Sequence, residues 1–427
     1  MSEATHPTLL PGATIGIFGG GQLGRLTAMA ARSMGYRIHV LDPDPGCPAR
    51  FVVDQCVEAA WDDAREAARL ARGCDVVTLE IEQISLASMN AAASLVPVRP
   101  SESVLEVIQD RIAQKDWLLR NGFPVGRYRA VRSLDELRAA VEELGGRCFC
   151  KSATGGYDGR GQGKVGFNPA TAPGLVCHSE RKAGVPGQLA GWGGSEESPH
   201  LSLFEKEIRG AWEALGEGPG VVEQAVDLDR EISILVARSP RGEVKVYPAA
   251  WNHHEEQILA WSVLPAPLPE QMAAEGRALA EAIADTFLLE GILAVELFVT
   301  KDGRLLVNEL APRPHNSYHS SERACVTSQF EQLVRAVCNL PLGSADVIAP
   351  CAIANLLGDL WLEPGEPGKK PVPRVPHWDK ALAVPGVRLH LYEKLRPRKG
   401  RKMGHLSAVG KTAEEAVELV LHAKAML

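Results

Sequence analysis

Short apolar runs alternate with helix-like segments over the first hundred residues. ATIGIFGG, YRIHVLDPD, VVDQCVEAAW and CDVVTLEIE read as strands, with GQLGRLTAMAARSMG and DDAREAARLARG as helices between them. A strand, a glycine-rich turn and a helix within about thirty residues form the βαβ unit of a doubly wound parallel sheet. The chain is therefore predicted to open with an α/β domain over residues 1–108. A helix with a polar outer face, QDRIAQKDWLLRNG, follows, and the pattern then changes. Strands CFCKSA, VVEQAV, EISILVARS and EVKVYPAAW precede the helix EQMAAEGRALAEAIADTF and two further runs, GILAVELFV and LLVNELAPRPHNS. The helix TSQFEQLVRAVCN closes this second domain, residues 109–343, at the Leu340-Pro341-Leu342-Gly343 break. Within it, residues 168–220 are rich in Gly, Ser, Pro and charge and read as a surface insertion. The remainder, 344–427, holds a Pro- and Lys-rich connector, short β-like pieces and a final helix, AEEAVELVLHAKAML, a small β-rich C-terminal domain. No repeat of solenoid period is visible.

Two acids interrupt the last pair of apolar runs. Glu296 and Glu309 flank the polar turn Lys301-Asp302-Gly303-Arg304, so the runs are predicted to fold back as a hairpin with both carboxylates on one side. Acids in apolar strand sequence are costly without a cation, and oxygen donors are what Mg²⁺ takes beside phosphates. The pair reads as a metal platform, with Asn308 adding an amide; the competing reading is two solvent-facing edge carboxylates. Lys151 ends the strand CFCKSA ahead of the glycine-rich stretch Gly155–Gln162, a point charge and a pliable loop suited to a triphosphate, although no Walker sequence is present. Glu223-Gln224-Ala225-Val226 leaves a strand toward a linker, a place for backbone bonds to an adenine edge, and Glu231 could reach ribose hydroxyls. Gly19-x-Gly21-x-x-Gly24, with Asp42 beyond it, has the spacing of a dinucleotide fingerprint. Alone it is weak, and a phosphate site for a substrate other than NAD is the favoured reading over an NAD-dependent oxidoreductase.

Composition narrows the partners. With 45% hydrophobic and 23% charged residues the chain is that of a globular protein, and its net charge of −7 argues against general nucleic-acid binding. No apolar run reaches membrane-spanning length, and the first residues lack a signal-peptide pattern, so a cytoplasmic protein without membrane partners is expected. Nine cysteines without a CxxC pair fit reduced thiols. His253, His254 and His315 lack a third nitrogen or sulfur ligand for zinc. The basic run Lys394, Arg396, Arg398, Lys399, Arg401 and Lys402 is either a solvated face or a grip for a small anion.

Taken in order, GGGQLGR, LDPD, QDR, GGYDGRGQ, EQAV, GILAVELFV, NELAPRPHNS, TSQFEQLVRA, NLLGD and RKMGH resemble the N5-carboxyaminoimidazole ribonucleotide synthetases, ATP-grasp enzymes of purine biosynthesis. The resemblance covers the chain apart from its N-terminal tail and residues 168–220. It implies an α+β ATP-grasp architecture and ATP-dependent carboxylation of aminoimidazole ribonucleotide by bicarbonate, through carboxyphosphate. ATP contacts carry over to Arg111, Lys151, Gly156, Tyr157, Asp158, Gly159, Arg160, Gly161, Gln162, Glu223, Gln224, Ala225, Val226, Glu231, His254, Asn308 and Glu309. Two Mg²⁺ ions are implied, with Glu296 and Glu309 as ligands. Substrate contacts fall on Gln22, Glu80, His315, Asn316, Arg335, Lys394, Arg401 and Lys402, and the C-terminal domain closes the substrate site. Lys151, Tyr157 and Asp158 are the implied catalytic residues, Asp158 orienting or deprotonating the attacking amine. A homodimer and a separate downstream mutase are also implied; a formate-dependent glycinamide ribonucleotide transformylase is the nearest alternative. The chain departs from the pattern at Tyr318, where the family keeps glycine in HNSGH, and at Thr78–Gln83, where the first glutamate of a YEFENV-like pattern survives as Glu80 and the asparagine does not.

Overall fold

The computed structural model describes residues 7–155, 161–168, 199–363 and 372–427. The chain forms two compact units, one from the residues through Gln109 together with Leu228–Leu427, the other Asp110–Asp227. The three-part division expected from sequence cuts near 108 and 343; the compact units part at Gln109/Asp110 and Asp227/Leu228.

The first unit opens with the parallel sheet expected from the βαβ pattern: β1 (Thr14–Phe18), β2 (Arg37–Asp42), β3 (Gln55–Glu58) and β4 (Val76–Leu79), in the order β3-β2-β1-β4. The central strand β1 and its neighbour β4 are buried throughout because helices such as Gln22–Ser33 and Ala64–Ala71 cover the sheet. Asp63 caps the second of these helices, accepting from the N–H groups of Arg65 and Glu66.

The second unit is an antiparallel sheet of β5 (Tyr128–Val131), β6 (Cys148–Ser152), β7 (Gln162–Val165) and β8 (Gly220–Gln224), in the order β5-β8-β6-β7. Residues 169–198 lie outside the described residues. From Pro199 to Ala214 the expected surface insertion is instead a helix. Its Ile208 and Ala211 bury against Val141, Cys148, Cys150, Val165 and Val222, so this part belongs to the unit's core.

The first unit resumes with β9 (Leu228–Arg238), β10 (Val244–Val246), β11 (Ala250–Glu255), β12 (Ile258–Leu264), β13 (Gly291–Thr300), β14 (Leu305–Ala311) and β15 (Cys351–Leu357). After a short ribbon of β16 (Leu362–Glu363) and β17 (Val372–Pro373) come β18 (Val387–Leu391) and β19 (Lys402–Val409). Antiparallel pairing joins most of them in one sheet, β14-β13-β9-β11-β12-β15-β19-β18, with β10 on β9. That sheet runs through the break at residue 343 into the C-terminal strands, where Leu356 and Leu406 bury beneath the final helix Ala413–Ala425. One apolar cluster joins Ile15, Ile38 and Val40 of the parallel sheet to Leu235, Ile292 and Leu333.

Tyr318, which the sequence flags as a possible disturbance of the pocket, belongs to this core. It ends the 3-10 turn Asn316–Tyr318, outside the left-handed region, so no glycine-only backbone is required of it. Its ring meets Tyr247 edge-on, and its hydroxyl donates toward the carbonyls of Ser233 and Pro248 at 2.9 and 2.8 Å. The ring fills core volume that glycine would leave to other side chains.

Candidate functional site

The hairpin register sets Glu296 directly across from Glu309. A bulge follows, with Leu297 facing Val307, so Asn308 is the extra residue and its amide turns to Glu296 Oε2 at 3.4 Å. Like charges directly opposed in a sheet repel. The neighbouring strands continue the polar surface: Glu296 pairs with Ser233, and Glu231 with Asn252. Residues paired across a sheet share a face, so one face gathers Glu231, Ser233, Asn252, Glu296 and Glu309. His254 reaches Glu231 through Nδ1 at 2.7 Å; burial works against its charge, but Glu231 prevails and raises its pKa. Glu231 and His254, expected at a nucleotide, thus meet each other.

Arg313 was missed in the sequence although APRPHNS contains it. Its Nε lies 3.0 Å from Glu82 Oε1, and Glu82, Glu80, Glu309 and Glu296 hold its charged form against burial. Arg313 offsets part of the repulsion that makes the acidic face costly. His315, expected at the substrate, places Nε2 3.0 Å from Glu296 Oε1 and Nδ1 2.7 Å from Ser317 Oγ, so it braces the Glu296 carboxylate. Asn316 is buried, and neither atom of its side-chain amide has a hydrogen-bond partner. Buried amides are rarely left so, and a ligand would satisfy it.

The glycine turn differs from its sequence reading. Gly19 takes a positive φ of 96°, as a tight turn requires, but the amides are already occupied. Gly21 N–H and Gly24 N–H donate to Glu80 at 2.6 and 3.0 Å, and Gly20 N–H donates to Asp42 at 2.7 Å. Carboxylates of the chain fill both features of the dinucleotide and phosphate readings, the helix N-terminus and the acid beyond it. Burial raises the Glu80 carboxyl to about 7, against the pull of the Gly24 and Gly21 amides. The folded protein then binds more protons than the unfolded chain between about 4.5 and 7, so Glu80 costs stability as pH rises through that window. Glu80→Gln should remove up to about 3 kcal/mol of that fall. Chemical denaturation at pH 5 and pH 8 checks it; parallel curves for wild type and variant would contradict it.

Lys394 Nζ donates to Gln22 Oε1 at 2.6 Å and to the carbonyl of Lys402 at 2.8 Å, so three of the expected substrate residues come together. Arg401 donates to the carbonyl of Arg396. Arg335 departs from the set: it pairs with Glu331 one turn earlier at 2.7 Å and caps the carbonyl of Pro341.

In the second unit, Glu223 sits between two lysines, Lys151 Nζ at 2.8 Å and Lys115 Nζ at 3.0 Å. Burial favours the neutral acid, yet Lys115 and Lys151 hold its carboxyl down at about 2. The Glu223 side chain therefore serves Lys151 rather than a base edge. The backbone N–H groups of Gln224 and Ala225 donate to the carbonyls of Arg127 and Arg147. Lys115 was also missed; four residues after Arg111 it shares that residue's helix face, the one available sequence signal. Arg111 donates its backbone N–H to Ala153 and Nη1 to the carbonyl of Ser152, beside Lys151. Gln162 pairs with Lys151 across β6 and β7, and Gly161 accepts from Ser152 N–H. Gly156, Tyr157, Asp158, Gly159 and Arg160 lie outside the described residues.

The profile of the ATP-grasp domain matches residues 117–184 and 203–330, that of the ribonucleotide synthetase preATP-grasp domain 12–109, and that of the phosphoribosylaminoimidazole carboxylase C-terminal domain 351–419. Fold and profiles together define an ATP-grasp ligase. The N5-carboxyaminoimidazole ribonucleotide synthase of Brucella melitensis is 37% identical over 402 residues, 94% of this chain and 98% of that protein. Among solved structures, the ADP complex of an N5-carboxyaminoimidazole ribonucleotide synthetase superposes with TM-score 0.82 at 35% identity, covering 98% of each chain. The Aspergillus clavatus enzyme, solved with ADP and 5-aminoimidazole ribonucleotide, gives 0.78 at 26% identity over 97% of this chain and 98% of that one. The chain belongs to the N5-carboxyaminoimidazole ribonucleotide synthetase family.

Proposed function

We propose that this protein uses ATP to carboxylate aminoimidazole ribonucleotide with bicarbonate, yielding N5-carboxyaminoimidazole ribonucleotide, ADP and phosphate. The observation that carries the reading is the cross-strand pairing of Glu296 with Glu309. Two opposed carboxylates and an adjacent amide oxygen form an oxygen-rich donor set, which fits Mg²⁺ and not a softer metal. Glu296 and Glu309 would hold the metal, which when bound neutralises phosphate charge during transfer. The fold family and the relatives' nucleotide complexes support ATP as the phosphoryl donor.

In the proposed reaction a bicarbonate oxygen attacks the γ-phosphorus, ADP leaves, and carboxyphosphate forms. The exocyclic amine of aminoimidazole ribonucleotide then attacks the carboxyl carbon, and phosphate leaves. Lys151 is assigned to the nucleotide's phosphates, with Glu223 holding its ammonium in place beforehand. Arg111 steadies the end of the Lys151 strand through Ser152. The unpartnered amide of Asn316 supports a substrate contact there, and Gln22, Lys394 and Lys402 offer a hydrogen-bonded group for a phosphorylated ligand. Tyr157 and Asp158 are assigned to the attacking amine. An Asp158→Asn variant with intact ATP affinity and undiminished carboxylation would remove Asp158 from that role. Two Mg²⁺ per site, a homodimer, a cytoplasmic location and a separate mutase consuming the product complete the proposal. The eight described cysteines are unpaired, in keeping with a reducing compartment, and among the described residues no helix is long and apolar enough to cross a membrane.

A coupled assay of ADP release tests the reading. Release should depend on both aminoimidazole ribonucleotide and bicarbonate. Release that requires formate and glycinamide ribonucleotide instead would assign the chain to the transformylase reaction.

A further inference from the structure

On the same face as the acids runs a buried line of hydrogen bonds. Asn252 Nδ2 donates to Ser233 Oγ at 3.1 Å, Ser233 Oγ lies 2.6 Å from Ser317 Oγ, and Ser317 Oγ lies 2.7 Å from His315 Nδ1. The line ends at Glu296, 3.0 Å from His315 Nε2. Ser233, Asn252 and Ser317 are all buried, and Ser262, also buried, donates to Asn252 Oδ1 at 3.0 Å. Gln329 grips the backbone of His315 from both sides, accepting from its N–H at 2.8 Å and donating to its carbonyl at 3.0 Å.

The direction of these bonds follows from the Glu296 end. A ring nitrogen facing a carboxylate carries a hydrogen, so in the singly protonated imidazole Nδ1 accepts. Ser317 must then donate to Nδ1 and accept from Ser233, and Ser233 must accept from Asn252. At the far end Asn252 Nδ2 donates to Ser233 Oγ, in agreement with that order. Ser317 and Ser233 each have one donor hydrogen and use it once, while Ser262 Oγ lies 3.0 Å from both Asn252 Oδ1 and the Ser317 carbonyl.

We infer that Ser317, Ser233 and Asn252 are positioning residues that act through His315 to fix the orientation of the Glu296 carboxylate toward a divalent cation. The inference rests on the assignment of Glu296 to Mg²⁺ under the proposed function. Ser317 and Ser233 set the tautomer of His315, Gln329 sets its place, and Nε2–H then holds Oε1 of Glu296. Groups one step behind a ligand matter to metal affinity by roughly 10- to 100-fold.

The test uses the full-length protein with Mn²⁺ and a non-hydrolysable ATP analogue, free Mn²⁺ being read by electron paramagnetic resonance. Ser317→Ala should weaken Mn²⁺ binding by roughly tenfold, and Ser233→Ala in the same direction by less. Ser233→Ala also stands in if Ser317→Ala does not fold. Glu296→Gln is the reference. If it weakens Mn²⁺ while both serine variants bind as wild type, the positioning role fails alone and the metal assignment stands. Should Glu296→Gln itself bind Mn²⁺ like wild type, the metal assignment fails and takes the inference with it. A second readout is the long-range ¹H–¹⁵N spectrum of histidine-labelled protein, in which His315 should show Nε2–H and a bare Nδ1 in wild type and mixed tautomers in Ser317→Ala. A hydrogen found on Nδ1 of the wild-type singly protonated ring overturns the inference, as does a serine variant that loses thermal stability but keeps its Mn²⁺ affinity.

Discussion

Glu309→Gln should lower ADP release dependent on aminoimidazole ribonucleotide by about a thousandfold, the scale seen when one electrostatic element of a transfer site is removed. The change is nearly isosteric, and Glu309 opposes Glu296 across the hairpin, so replacing it relieves a like-charge contact in the resting protein. Stability should therefore hold or rise slightly while activity collapses. That opposition of effects distinguishes a functional carboxylate from a structural one, for which activity would fall only as far as the fold does. Thermal unfolding and the coupled assay on one preparation give both numbers. An active variant, within roughly threefold of wild type, would remove Glu309 from the reaction.

Glu223→Gln should do the reverse. Glu223 is the shared partner of Lys115 and Lys151, and side chains of all three are close to fully enclosed. Removing the acid leaves two enclosed ammonium groups facing an amide, a loss of about 3–5 kcal/mol by the measure of broken buried pairs. The pH dependence has a definite sign. Because the folded carboxyl lies near 2, below its unfolded value of 4.5, its contribution is present above 4.5 and is lost as pH falls toward 2. Wild type should lose stability across that window and Glu223→Gln much less. Since Glu223 also holds Lys151, the variant should show a raised KM for ATP. Acid denaturation curves that superimpose for the two proteins would count against this account of the lysine pair.

The parallel sheet was legible because fully covered strands leave continuous apolar runs between amphipathic helices, as in ATIGIFGG and CDVVTLEIE. The Glu296–Glu309 ribbon was legible for the opposite reason: acids are conspicuous where everything around them is apolar. Partnerships between distant segments were not. Nothing local tells that Glu80 reaches back to the amides of Gly21 and Gly24, since a glycine turn awaiting phosphate and one filled by a carboxylate share the same spelling. Lys115 hid among the polar residues of its helix, and Arg313 within a motif read for its neighbours. The helix Pro199–Ala214 was obscured by the Gly-, Pro- and charge-rich sequence before it, which made the whole stretch look like an insertion. Tyr318 was noticed as a departure, but only the fold reveals that its ring points into the core and not the pocket.

Diffraction from crystals grown with Mn²⁺ and a non-hydrolysable ATP analogue, recorded at the manganese edge, tests the central assignment most directly. The account expects anomalous density within bonding distance of both Glu296 and Glu309 carboxylates. Nucleotide bound with manganese elsewhere, and the two carboxylates left without it, would contradict the account.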